Sequence, residues 1–272
     1  MTSHNRYATT CAELLQRIRD QHPLIHHMTN FVVMNDTANL TLGFGALPVM
    51  AHAKEEVAEM VGAAGALVLN PGTLTPEWVE AMLIAGRRAN ELGVPVVYDP
   101  VGVGATRLRN ETGRTFLKEL RLAVIRGNSG EVGALAGAGG LVKGVESVEG
   151  VADPVRVARD LAGRAHSVVA ITGARDILSD GKRTLGVDNG HVMQKTITGT
   201  GCMATTAVAI FCAVEKDYLT AAAAALACYG LAAQNAARVS QGPGTFRSAL
   251  LDAVYQLTPE AVEAGAQIVE LA

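Results

Sequence analysis

ALVLNPGTLTPEWVEAMLIAGRRANELGVPVVYDP, residues 66–100, contains a complete strand–helix–strand unit. Residues 66–69 form a short apolar run closed by Asn70-Pro71-Gly72. Residues 76–92 follow a helical pattern that opens at Thr75-Pro76 and stops at Gly93, a capping residue with proline at one end and glycine at the other. Residues 95–98 are apolar again and end at Asp99-Pro100. Strands this apolar on both faces suit a parallel sheet covered by helices, and the intervening helix is the crossover that parallel neighbours require.

The same unit recurs in both directions. Further apolar runs lie at residues 24–25, 48–50, 122–125 and 168–171, with helical patterns at 11–20, 34–42, 55–60, 112–120, 129–136 and 153–162. After residue 171 the spacing changes: runs at 177–178, 184–187 and 191–194 are separated only by short turns containing Asp180-Gly181 and Asn189-Gly190. Such pairs are hairpin signals, so the sheet is predicted to finish as an antiparallel meander. From Cys202 onward the pattern is helical. The expected fold is a three-layer α/β domain, with a mostly parallel sheet between helices and a helical C-terminal region. With no Ser/Pro tether or repeat, residues 1–272 read as one domain, in which the glycine-rich stretch 133–144 is expected to be a mobile loop.

Composition removes several function classes. Of 272 residues, 49% are hydrophobic and 18% charged, with a net charge of -3 that supplies no cationic face for nucleic acid. The apolar stretches 205–214 and 221–233 are too short to span a bilayer, and Glu215, Lys216 and Asp217 separate them. The N-terminus lacks the apolar segment of a secretory signal, which predicts a cytoplasmic protein. Cys11, Cys202, Cys212 and Cys228 have no metal-like spacing and are expected to stay reduced. His26 and His27 point to opposite faces of a strand, which favours structural roles over a shared metal.

Three segments carry chemistry. Thr196-Ile-Thr-Gly-Thr-Gly-Cys202 runs directly into an apolar helix. The free amides and partial positive charge of that helix start can hold an anion, with Gly199, Thr200, Gly201 and Cys202 forming the cradle; a tight strand-to-helix turn without ligand uses the same residues. Asp99 stands at the carboxyl end of a strand, where doubly wound sheets place their ligands, although an Asp before Pro100 also serves as a turn residue. In Arg126-Gly-Asn-Ser-Gly-Glu131, Asn128 and Glu131 share one face of a first helical turn. Glu131 can hold a hydrated Mg2+ while Arg126 neutralises phosphate; a capping box between Asn128 and Glu131 explains the spacing equally well. An anion-binding helix start, an acid pair and an arginine are jointly what phosphoryl transfer uses. P-loop, protein-kinase, serine-hydrolase and zincin signatures are missing.

These segments, with Thr172-Gly-x-x-Asp176, resemble hydroxyethylthiazole kinases of the ribokinase-like group, in order from about Asn30 to the C-terminal helices. The resemblance implies ATP- and Mg2+-dependent phosphorylation of the primary alcohol of 4-methyl-5-(2-hydroxyethyl)thiazole, a step toward thiamine. It further implies that Arg126, Thr172 and Asn128 contact ATP, that Asp99 and Glu131 serve Mg2+, and that Met50, Gly199 and Asn30 contact the thiazole. Members of that family are trimers with sites between subunits, so Asn30 and Met50 are expected to face a neighbour's glycine turn. The wider group carries Asp where this chain has Cys202, which leaves the thiol an orienting group with a modest share as base. Two other classes fit the glycine turn: an NAD(P)H-hydrate dehydratase-like lyase, whose members have that Asp, and a non-catalytic nucleotide-binding protein, against which Asp99 and Glu131 argue.

Overall fold

A computed structural model describes residues 3–137, 141–143, 146–149 and 151–272. Along the chain the elements are α1 (Ser3–Gln21), β1 (Leu24–Met28), α2 (Met34–Phe44), β2 (Leu47–Val49), α3 (Val57–Ala63), β3 (Ala66–Leu69), α4 (Pro76–Leu92) and β4 (Val96–Tyr98). Then come α5 (Arg107–Glu119), β5 (Val124–Asn128), α6 (Ser129–Ala136), β6 (Leu141–Lys143), β7 (Glu146–Glu149), α7 (Pro154–Ala165), β8 (Val168–Thr172), β9 (Asp176–Ser179) and β10 (Thr184–Val187). A 3-10 turn at Val192–Thr196 leads into α8 (Thr200–Val214), α9 (Tyr218–Val239), α10 (Pro243–Tyr255), α11 (Pro259–Gly265) and β11 (Ile268–Glu270).

Among the described residues the main sheet has the order β11-β10-β9-β8-β5-β4-β3-β1-β2. From β2 to β8 every pairing is parallel; β9, β10 and β11 run antiparallel to their neighbours. The period-two alternation of each strand divides the core. Val68, Val97, Val124 and Ala170 face a layer containing α1, α2, α8, α9 and α10. Leu67, Leu69, Tyr98, Ile125 and Val169 face α3, α4, α5 and α7. This is the expected three-layer arrangement.

Three expectations change. Residues 191–194 do not form a strand: the His191 side chain accepts from Met193 N and Gln194 closes the capping box, which turns the backbone into a helical curl. The strand beside β10 is instead β11, from the far end of the chain. Asn189 makes that possible by donating to Gly265 O at 2.9 Å and accepting from Gln267 N at 2.7 Å. The 133–144 stretch is not one loop, because it begins inside α6 and includes β6, which pairs with β7; residues 138–140 and 144 lie outside the described residues. Finally, α5 starts at Arg107 rather than residue 112, since Thr106 accepts from Arg109 N and starts the helix earlier.

Candidate active site

The carboxyl ends of adjacent parallel strands place one chemically useful residue each. Asn30 lies two residues beyond β1, Asn70 follows β3, Asp99 follows β4, Asn128 ends β5 and Thr172 ends β8. Since β1, β3, β4, β5 and β8 are neighbours in that order, these side chains form a row along the rim where doubly wound sheets bind ligands. The row is hydrogen-bonded. Asn30 Nδ2 donates to Asn70 Oδ1 at 2.9 Å, and Asn70 Nδ2 donates to Asp99 Oδ2 at 3.0 Å. Thr205 Oγ1, one turn into α8, donates to the same Asp99 oxygen at 2.7 Å.

Across this row lies the glycine turn. Gly199 takes a left-handed conformation, φ 88°, and starts α8 without a side-chain cap. The first amides of α8 therefore have no Ser, Thr, Asp or Asn side chain as cap, and uncapped amides at a helix start can hold an anion. Thr200 contributes only backbone, because its Oγ1 donates to Gln194 O at 2.7 Å. Arg126 closes the space: Nη1 donates to Gly201 O at 2.9 Å, Nη2 donates to Thr172 Oγ1, and Asp99 Oδ2 lies 3.9 Å from Nη1. Its Nε is buried with no protein partner, a donor still to be met. A side chain at Gly201 would begin 3.1 Å from Arg126 Nη1, so glycine there lets the guanidinium rest on the turn.

Asn128 and Glu131 do form the capping box: Asn128 Oδ1 accepts from Glu131 N at 2.9 Å, and Glu131 Oε2 accepts from Asn128 N at 3.0 Å. Glu131 Oε1 also accepts from Gly102 N at 2.9 Å, which ties β5 to the loop after β4. A carboxylate oxygen has a second lone pair, so capping does not exhaust Glu131. Burial, then the Asp99 charge, pushes the Glu131 carboxyl up to about 7, with the Gly102 and Asn128 amides and Arg126 opposing. Asp99 is also raised by burial, against the pull of Arg126, Thr205 and Asn70. Arg126 acts on both buried acids, and Arg109 lies in the field of Glu131, yet burial still raises both carboxyls, a setting in which an added cation would be favourable.

A pH prediction follows. Folded Glu131 keeps its proton to higher pH than the unfolded chain does, so its ionisation lowers stability as pH rises from about 4.5 to about 7. Buried His26 and His27, whose pKa values are lowered by burial, act oppositely below pH 6.5. Comparing calorimetric Tm for the wild type and Glu131→Gln isolates the carboxyl. The variant should gain on the wild type between pH 5 and 7.5, and added Mg2+ should narrow the gap; parallel curves would refute this.

Cys202 begins α8 beside Asn30, whose Nδ2 is 3.6 Å from Sγ. Burial and the Asp99 charge push the thiol up to about 12, more than Asn70, Arg126 and Asn30 pull it down. Both influences disfavour the thiolate. Within one chain, then, Asn30 lies beside the start of α8. Met50 does not join the row. It follows the edge strand β2, where Val49 pairs with His26 of β1, on the far side of β1 from Asn70 and Asp99. His26 and His27 have the structural roles expected, with their Nε2 atoms at Ala51 O and Thr41 Oγ1.

Sequence reasoning missed Asn70, Thr205 and Arg109. Arg109 bonds to Pro71 O, Val101 O and Gly72 O, fastening together the loops after β3 and β4. Asn70 was detectable as a polar residue ending a buried strand; Thr205 and Arg109 carry no local signal.

A parallel sheet with this rim, an open helix start and an arginine across it define a ribokinase-like small-molecule kinase. A ribokinase-like superfamily protein from Enterococcus faecalis V583 shares the fold, with a TM-score of 0.65 over 91% of this chain and 95% of that one, at 12% identity. The family model for the hydroxyethylthiazole kinase family matches residues 15–260, and the chain belongs to that family. A hydroxyethylthiazole kinase from Chloroflexus aggregans is 64% identical over 96% of this chain and 94% of its own. The solved hydroxyethylthiazole kinase protein from Pyrococcus horikoshii OT3 superposes with a TM-score of 0.89 at 41% identity, covering 97% and 99% of the two chains. Among the described residues no helix is long and apolar enough to cross a membrane.

Proposed function

We propose that this protein transfers the γ-phosphoryl group of ATP to the primary alcohol of 4-methyl-5-(2-hydroxyethyl)thiazole, giving the thiazole phosphate and ADP for thiamine synthesis. The observation carrying this reading is the uncapped start of α8 facing an arginine that bridges Gly201 and Thr172. The amides of Thr200, Gly201 and Cys202 cradle the migrating group, and the unmet Arg126 Nε faces its charge. In a loose transition state most acceleration comes from such positioning and neutralisation. Arg126, Thr172 and Asn128 serve the nucleotide; Asn30 and Gly199 serve the thiazole.

Asp99 and Glu131 fit a hydrated Mg2+, since both are buried acids whose charge is under-compensated and this cation keeps several waters. When bound, it would neutralise phosphate oxygens. Met50, which follows the edge strand β2, contacts the thiazole at a site between subunits of a homotrimer.

Cys202 orients the alcohol. Because its share is positioning, Cys202→Ala should keep turnover within about tenfold of the wild type, the low end of a general-base contribution being about a hundredfold; abolished turnover with intact thiazole binding would make it the base. The reading as a whole is tested by ADP release with the thiazole alcohol, hydrated NADH or a pyrimidine alcohol. Activity confined to hydrated NADH would select the lyase, and no activity with nucleotide bound would select a binding protein.

A further inference from the structure

Asn70 stands between Asn30 and Asp99 in the rim row and is 1% exposed. Its two amide ends do different work. Oδ1 accepts from Asn30 Nδ2 at 2.9 Å and from Gly72 N at 3.2 Å, while Nδ2 donates to Asp99 Oδ2 at 3.0 Å. A carboxylate can only accept and an amide nitrogen can only donate, so the orientation of Asn70 is dictated from both sides. It dictates Asn30 in turn, whose Oδ1 accepts from Val32 N at 3.1 Å and whose Nδ2 also reaches Cys202 Sγ at 3.6 Å. Thr205 offers an internal comparison: its hydroxyl donates to the same Asp99 oxygen at 2.7 Å but does not bond to Asn30.

We infer that Asn70 is a positioning residue that aligns both reactants at once, holding Asp99 on the phosphate side and Asn30 with Cys202 on the alcohol side. This rests on the kinase reading given above. Removing the amide leaves a buried carboxylate short of a donor and a buried amide short of an acceptor, so both side chains turn to seek replacements. Removing the Thr205 hydroxyl disturbs only the carboxylate.

The test compares wild type, Asn70→Leu, Asn70→Asp and Thr205→Val. Two quantities are read: the Mg2+ concentration giving half-maximal ADP formation, and the dissociation constant of the thiazole alcohol measured by calorimetry without nucleotide. Neither depends on the fraction of enzyme folded, so a merely structural role lowers the amplitude or Tm and leaves both in place. Asn70→Leu should raise both by about tenfold, the size expected for a buried partner left unmet. Thr205→Val should raise the Mg2+ requirement alone. Asn70→Asp, which keeps the acceptor for Asn30 and loses the donor to Asp99, should change the Mg2+ requirement while leaving alcohol affinity within about threefold; it decides the matter should Asn70→Leu not fold. The inference is overturned if Asn70→Leu moves one quantity or neither, if Thr205→Val moves both, or if Asn70→Asp loses alcohol affinity as Asn70→Leu does. A wild-type enzyme that binds the alcohol and releases no ADP overturns the kinase reading, while alcohol affinity still reports on the Asn70–Asn30 contact.

Discussion

Arg126→Ala should lower kcat/KM for the thiazole alcohol by about two to three orders of magnitude, the usual cost of removing a preorganised charge from a transition state. Calorimetric affinity for the alcohol should change little. The guanidinium spans Gly201 O and Thr172 Oγ1 and leaves Nε without a protein partner, so its remaining capacity points to phosphate rather than to the ring. Arg126→Lys should recover little of the loss, because a single ammonium cannot bridge both partners as a planar fork does. Steady-state kinetics decide this: unchanged catalytic efficiency in Arg126→Ala would remove the residue from the site.

Gly199→Ala should be nearly as damaging, through the backbone. At φ 88° a side chain costs about 1–2 kcal/mol of conformational energy, and its Cβ would lie 2.8 Å from Val33 Cγ1. Val33 cannot easily retreat. It is 2% exposed and precedes α2, where Asp36 is held by Arg247 through contacts of 2.9 and 2.6 Å. The turn must therefore shift and carry the α8 amides with it, lowering kcat/KM by about a hundredfold, on the scale of a lost oxyanion donor. Gly163→Ala is the control: it has open space around its added Cβ within α7, so it should leave activity intact and stabilise by about 0.5–1 kcal/mol. Equal activity in the two variants would show that the turn does not bind the reacting group.

Much of the site was legible because its parts are local devices. The glycine turn before α8, the Asn128–Glu131 spacing and Asp99 at a strand end each lie within one short segment. Of the capping and cation readings of Glu131, the fold realises the first, with its oxygens accepting from the Asn128 and Gly102 amides, and this does not compete with the second, because a carboxylate oxygen keeps a further lone pair. Asn189-Gly190 misled for a related reason. Its hairpin signal is local, whereas the side chain of Asn189 is satisfied by Gln234, Gly265 and Gln267, which lie far away in the chain.

Sequence alone determined the strand and helix periods, the three-layer class and the turn chemistry, since these depend on backbone preferences and on side-chain alternation over a few residues. Tertiary structure decided the rest: that Asn30, Asn70 and Asp99 stand side by side, that Thr205 meets Asp99 from a helix 106 residues away, that the C-terminus supplies β11, and that Asn30 lies beside Cys202 of the same chain. Those contacts depend on strand order, which is set by how distant elements share one core, and no short window of sequence contains that information.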